Sequence, residues 1–144
     1  MSEHAKTVLV VEDSPVQALA LINLLQMHDL NVLFAPQGLL GLSLALRFRP
    51  DAIVLDLEIP EKNGLEVCQA LREDPLMASI PIIMLTAHTE LAIVQRCLQL
   101  DAVDFIPKDA FSNEVLVETL RQLHILDQVK ATTPPPVETF DDPA

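Results

Sequence analysis

Short runs of consecutive apolar residues alternate along this chain with longer stretches in which apolar residues recur at helical spacing. The runs read as strands at about Thr7 to Val11, Asn31 to Ala35, Ala52 to Leu55, Pro81 to Leu85 and Val103 to Ile106. The stretches between and after them read as helices. Ser14-Pro15 opens the first, with Ser14 able to cap it and Pro15 in the first turn, and it runs to about Met27. The others span Gln37 to Phe48, Leu65 to Glu73, Glu90 to Leu100 and Ser112 to Leu126. Asn63-Gly64 reads as a turn signal in the loop that starts at Asp56.

Five rounds of strand then helix predict an α/β fold with a parallel sheet covered on both faces. The strands are apolar without alternation, as burial on both faces requires. Right-handed crossovers make the sheet an open, doubly wound one. Ligands then bind beyond the carboxyl ends of the strands. Asp13, Asp56, Thr86 and Lys108 each follow the end of a predicted strand, so the topology gathers them at one edge.

Composition narrows the functional classes. The formal net charge of −12 argues against nucleic acid or an anionic membrane as partner. Cys68 and Cys97 lie in separate helical patterns, outside any C-x-x-C pair, and read as reduced thiols. The histidines show no metal-ligand spacing. The first residues lack the apolar core of a signal peptide, and no run is long enough to cross a bilayer, which points to the cytoplasm. Residues 1–127 form one domain. Residues 128–144, with Pro134-Pro135-Pro136 and the acids Glu138, Asp141 and Asp142, read as a disordered Pro-rich acidic tail or the start of a linker.

Glu12-Asp13 follow the first strand directly and Asp56 follows the third. If these strands are neighbours, three carboxylates meet at one place. Such a cluster calls for a divalent cation, and only with that cation could it accept a phosphoryl group.

These residues carry a family resemblance over about residues 6 to 127. The chain resembles a CheY-type receiver domain, the phosphoacceptor module of two-component response regulators. Glu12-Asp13 match the acidic pair, Asp56 the phosphoacceptor, Thr86 the hydroxyl position, Phe105 the aromatic switch and Lys108 the lysine. Pro60 and Gly64 match the pattern that follows the acceptor. The resemblance implies a flavodoxin-like (β/α)5 fold with strand order 2-1-3-4-5. It implies Mg2+ held by Glu12, Asp13, Asp56 and the backbone carbonyl of Glu58. It also implies phosphoryl contacts from Thr86 and Lys108, and a switch in which Phe105 reshapes the face made by the fourth helix, fifth strand and fifth helix. Glu58 and His88 would flank the path of the water that hydrolyses the acyl phosphate. The implied partners are a sensor histidine kinase or phosphotransfer protein, docking on the first helix through Pro15, Gln17, Ala18 and Leu21, and a downstream protein target. The first two helices hold more apolar residues than one face can bury, so exposed apolar surface is expected, and the second helix would support a homodimer.

One feature departs from the family. Receivers usually place proline directly after the lysine, in a cis bond, whereas this chain reads Ile106-Pro107-Lys108-Asp109. A trans bond at Lys108-Asp109 is the cheaper expectation. It would shift the aim of the ammonium, and Asp109 would compete for it. This favours an alternative, a receiver-fold interaction module that does not cycle phosphate. Other classes fit less well. A phosphohydrolase of the haloacid-dehalogenase type needs Asp-x-Asp after its first strand. A flavin or dinucleotide site needs a glycine- or hydroxyl-rich phosphate cradle where this chain has Glu12-Asp13-Ser14-Pro15.

Overall fold

A computed structural model describes residues 5–59, 63–87, 90–101, 104–109 and 111–127. Five strands and five helices alternate: β1 (Thr7–Val11), α1 (Pro15–Met27), β2 (Asn31–Ala35), α2 (Gly38–Phe48), β3 (Ala52–Leu55), α3 (Gly64–Glu73), β4 (Ile82–Thr86), α4 (Leu91–Gln99), β5 (Asp104–Pro107) and α5 (Ser112–Gln122). The strands form one parallel sheet in the order β2-β1-β3-β4-β5. The chain therefore starts in the middle, winds outward to β2, returns across β1, and winds outward to β5. The switch point lies between β1 and β3, where the expected acids emerge.

Alternate residues of each strand feed two cores, because successive side chains point to opposite faces. Val8, Val10, Val54, Ile83, Leu85 and Ile106 pack with Leu21 and Leu25 of α1 and Leu116 and Leu120 of α5. Leu9, Val11, Ile53, Leu55, Ile82 and Met84 pack with Ala45 of α2, Cys68 and Leu71 of α3 and Cys97 of α4. Pro107 has no N–H to donate, and it sits on the edge strand, where one side of the ladder is unpaired.

The helix starts follow local chemistry. The Ser14 hydroxyl accepts the Gln17 N–H at 3.3 Å, and Pro15 occupies the first turn. Asn63 does not make the expected turn with Gly64. It caps α3, its side chain accepting the Glu66 N–H at 3.0 Å while Glu66 accepts the Asn63 N–H at 3.1 Å, and Gly64 is the first helical residue. Glycine is required there because of close approach. A Cβ on Gly64 would lie 2.4 Å from the Asp56 carbonyl oxygen.

Two other boundaries differ from expectation. Thr86 is the last residue of β4, not the first after it. Helix α5 stops at Gln122, short of Leu126. His124 turns to φ 61, and the N–H groups of Ile125 and Leu126 both return to the Leu120 carbonyl. This closure buries Leu126 against the core, a tertiary gain that outweighs continued helix. Among the described residues no helix is long and apolar enough to cross a membrane. The expected tail at 128–144 lies outside the described residues.

Candidate phosphoryl-acceptor site

The site is built where three strands end. Glu12 and Asp13 follow β1, Asp56 follows β3, and Lys108 follows β5. The ladder continues past the strands and fixes their spacing. The Glu12 N–H donates to Ala35 O and the Asp56 N–H to Val11 O, each at 3.1 Å, and the Lys108 N–H donates to Thr86 O at 2.9 Å. Glu12, Asp13, Ser14, Gln17, Asp56, Glu58, Ala87 and Lys108 line one cavity of about 250 Å³. A larger cavity, about 960 Å³, opens at the other end of the sheet among Met27, Asn31 and Ile125 and holds none of these residues.

Lys108 is the hub. Its ammonium lies 2.7 Å from Glu12 Oε1 and 2.8 Å from Asp56 Oδ2, and it also donates to Gln17 Oε1. The second oxygen of each acid is held by backbone. Glu12 Oε2 accepts the Ser14 N–H and Asp56 Oδ1 accepts the Glu58 N–H, both at 3.1 Å. Glu12 and Asp56 are buried, whereas Asp13 is exposed at the rim.

Burial raises the Glu12 pKa above the ordinary carboxylate value, and the nearby Asp56 charge adds to this against the bonds from Lys108 and Ser14. For Lys108, burial acts to lower the pKa, but the hydrogen bonds to Asp56 and Glu12 outweigh it and the net direction is upward. The cluster is thus one cation shared by two buried acids, with a third acid beside it.

Among the described residues no three His, Cys, Asp or Glu side chains are grouped as a metal site. Lys108 itself bridges Glu12 and Asp56. The donor chemistry nonetheless suits a hard cation. Every acidic group of the cavity offers oxygen, and the four acids Glu12, Asp13, Asp56 and Glu58 outnumber one ammonium. Magnesium takes one or two protein carboxylates and keeps several waters, so a closed cage is not required.

The expected switch residues fall into place unevenly. Thr86 is fully buried at the end of β4, and Phe105 of β5 is half-buried against the core on the α2–α3–α4 face. The Lys108–Asp109 peptide bond is trans. The concern about the aim of the ammonium is answered by the contacts above, and Asp109 does not draw it away: its Oδ1 accepts the Phe111 N–H at 2.8 Å. His88 and Pro60 lie outside the described residues.

The expected docking set on α1 needs correction. Pro15 and Gln17 are exposed, but Ala18 and Leu21 are buried, 2% and 7% exposed, and face the sheet. They cannot meet a partner without unpacking the core. The exposed large apolar residues of that helix are Val16, Leu19 and Met27, at 79%, 59% and 78%. Helix α2 exposes Leu39, Leu40, Leu46 and Phe48, as its composition requires, with the Arg47 guanidinium 5.4 Å from the Phe48 ring centre. Gln17, expected to meet a partner, also reaches Lys108. No sequence signal marks it, because only the tertiary fold brings the first turn of α1 within reach of the residue that follows β5.

Comparison with known proteins agrees with this geometry. Residues 8–121 match the family described as the response regulator receiver domain. The chain is 34% identical over 123 residues to the DNA-binding dual master transcriptional regulator RpaA of Synechocystis sp., a match covering 85% of this chain and 51% of the relative. The chain thus spans about half the length of that protein. Among solved structures, the signal receiver domain of a signal transduction histidine kinase from Syntrophus aciditrophicus is 30% identical, with a TM-score of 0.77 over 90% of this chain and 98% of the other. The receiver domain of a Pseudomonas aeruginosa sensor histidine kinase, solved with magnesium ion coordinated in its active site cleft, is 28% identical with a TM-score of 0.75, covering 83% and 97%. With the sheet order, the strand-end acids and the lysine in place, the chain belongs to the response regulator receiver domain family of two-component systems.

Proposed function

We propose that this chain accepts a phosphoryl group on Asp56 from a histidine kinase or phosphotransfer protein and signals through its α4–β5–α5 face. The observation that carries this is the buried Asp56 carboxylate at a strand end, 2.8 Å from the ammonium of Lys108 and in one cavity with Glu12, Asp13 and Glu58.

Asp56 Oδ attacks phosphorus in line. The phosphorus–oxygen bond to Asp56 forms as the phosphorus–nitrogen bond of the phosphohistidine breaks, and the departing imidazole nitrogen keeps the electron pair and takes up a proton. Negative charge spreads over the equatorial phosphoryl oxygens, and the Lys108 ammonium stabilises one of them. Lysine suits this as a compact point charge on a flexible stem. Asp13, Asp56 and Glu12, with the Glu58 carbonyl, would hold magnesium, which when bound offsets the repulsion between carboxylate and phosphoryl group. Thr86, at the end of β4, would turn its hydroxyl toward the new oxygens. Phe105 would then bury further and alter the surface beside it.

Receiver domains are not classical enzymes, and this chain would promote only its own phosphorylation and dephosphorylation, with Glu58 and His88 tuning the latter. Its net charge and the exposed apolar faces of α1 and α2 favour protein partners in the cytoplasm over nucleic acid or membrane, and α2 offers a surface for a homodimer. The alternative of an interaction module that does not cycle phosphate loses its main support, because Asp109 leaves Lys108 on Asp56.

The test is incubation with acetyl phosphate and magnesium followed by intact mass. The wild type should gain one phosphoryl group and Asp56→Asn none. Labelling that persists in Asp56→Asn would move the acceptor elsewhere. A beryllofluoride titration with magnesium should shift amide resonances across β4, α4 and β5, and a silent spectrum would favour the non-cycling module.

A further inference from the structure

We infer that Gln17 is a positioning residue that keeps the Lys108 ammonium over Asp56, an inference that rests on the phosphoacceptor reading above.

An ammonium has three N–H donors and cannot accept. Those of Lys108 meet three acceptors: Glu12 Oε1, Asp56 Oδ2 and Gln17 Oε1. The three differ in how they are held. Each acid has its other oxygen bonded to a backbone N–H, Ser14 for Glu12 and Glu58 for Asp56, so both are fixed by strand ends. Gln17 comes from α1 on the opposite side and is exposed. It closes the tripod from solvent.

The space around Lys108 shows why a third acceptor matters. Glu12, Gln17 and Lys108 line the cavity of about 250 Å³ that holds Asp56. The same three residues line a second cavity, of about 260 Å³, bounded by Ala20, Leu85, Asp109, Ser112 and Asn113. Gln17 and Lys108 therefore stand between two openings. The second offers the lysine other polar neighbours, in Asp109, Ser112 and Asn113. Its four-carbon stem is flexible enough to swing there, away from the site where phosphoryl oxygens arrive. The Gln17 amide holds it on the Asp56 side.

The experiment is a double-mutant cycle read by acetyl phosphate labelling rate, with the side-chain 15N signal of Lys108 followed in the unphosphorylated protein. Gln17→Ala should slow labelling about tenfold, the low end of what one hydrogen bond to a charged group contributes. In a Lys108→Ala background the same change should have no effect. Gln17→Glu keeps an acceptor at that place and should restore the rate to within about twofold of wild type. The Lys108 Nζ signal should shift and broaden in Gln17→Ala and return in Gln17→Glu. An unchanged Lys108 signal in Gln17→Ala, or equal slowing with and without Lys108, would overturn the role of Gln17. A wild-type protein that takes no label would instead overturn the phosphoacceptor reading, and Gln17's part in it, even if the Lys108 signal moves.

Discussion

Two partly buried cations mark the two ends of the same sheet, and they are used in opposite ways. At the carboxyl ends of the strands, Lys108 meets two buried acids and one amide. At the amino ends of β4 and β5, Arg72 of α3 hydrogen-bonds, among the described residues, to neutral backbone. Its Nε donates to Leu100 O at 3.1 Å, Nη1 to Ala78 O and Ile80 O at 2.8 and 2.9 Å, and Nη2 to Asp101 O at 2.8 Å. A guanidinium is a rigid planar fork, suited to pinning a helix end and two loops in one geometry. An ammonium on a flexible stem can release one acceptor and take another. The difference separates a fixed joint from a charge that is free to be re-aimed.

The largest expected effect tests the Lys108 half of this contrast. Lys108→Ala should cut the labelling rate about 100-fold, the scale for losing one donor to a developing oxyanion. The same substitution should also destabilise the fold modestly, by about 2 kcal/mol, because Glu12 and Asp56 lose their shared cation. Urea unfolding measures the second effect. A variant that labels at the wild-type rate would erase the distinction between the two ends.

Arg72→Ala should do the reverse. Four hydrogen bonds disappear, among them those to the part-buried Leu100 and Ile80 carbonyls, so a loss of about 3 kcal/mol is expected in urea unfolding, with labelling at permissive temperature near wild type. Arg72→Lys should recover less than half of the stability, because one ammonium cannot span carbonyls served by three guanidinium nitrogens. A large change in labelling rate would show that the joint reaches the chemistry.

Gly64→Ala tests how rigid the acceptor end is. The added Cβ would meet backbone atoms of Asp56 and Leu57 at 2.4 and 2.6 Å, and backbone cannot yield cheaply. A loss of about 2 kcal/mol is expected, with slower labelling because the acceptor loop shifts. Unchanged stability would mean that the loop after Asp56 adjusts freely.

The smallest effect sharpens the Arg72 end. Cys68 Sγ donates to the same Leu100 carbonyl, at 3.7 Å. Burial pushes this thiol up to about 11, with Arg72 opposing the shift. At pH 8 the native thiol should react with iodoacetamide about 100-fold more slowly than an unfolded one, since each unit of pKa is a factor of ten in thiolate. The unfolded thiol loses its proton first as pH rises. Stability contributed by Cys68 should therefore decline from about pH 9 toward pH 11 and be unaffected at neutral pH. Fast alkylation of the folded protein at pH 8 would contradict the burial.

The alternation of apolar runs and helical stretches was enough to place the sheet, its two covered faces and the edge at which Asp13, Asp56 and Lys108 emerge. Hydrophobic period is local, and parallel strands with right-handed crossovers leave few topologies. What was not legible depends on which side of an element faces which neighbour. Ala18 and Leu21 read as docking residues and proved to be core, because the phase of α1 is set by its packing on β1 and β2. Asn63-Gly64 read as a turn and proved to be a cap and a close backbone approach, which needs Asp56 in place to be seen.

The sequence alone determined the element order, the burial of the strands and the identity of the acidic and basic groups at one edge, since each follows from residue type and spacing along the chain. Only the tertiary structure decided that Lys108 rests between Glu12, Asp56 and Gln17, that Asp109 turns to the Phe111 N–H, and that Arg72 ties α3 to the loops before β4 and β5. Those outcomes depend on distances between residues tens of positions apart, and such distances exist only once the helices have settled on the sheet.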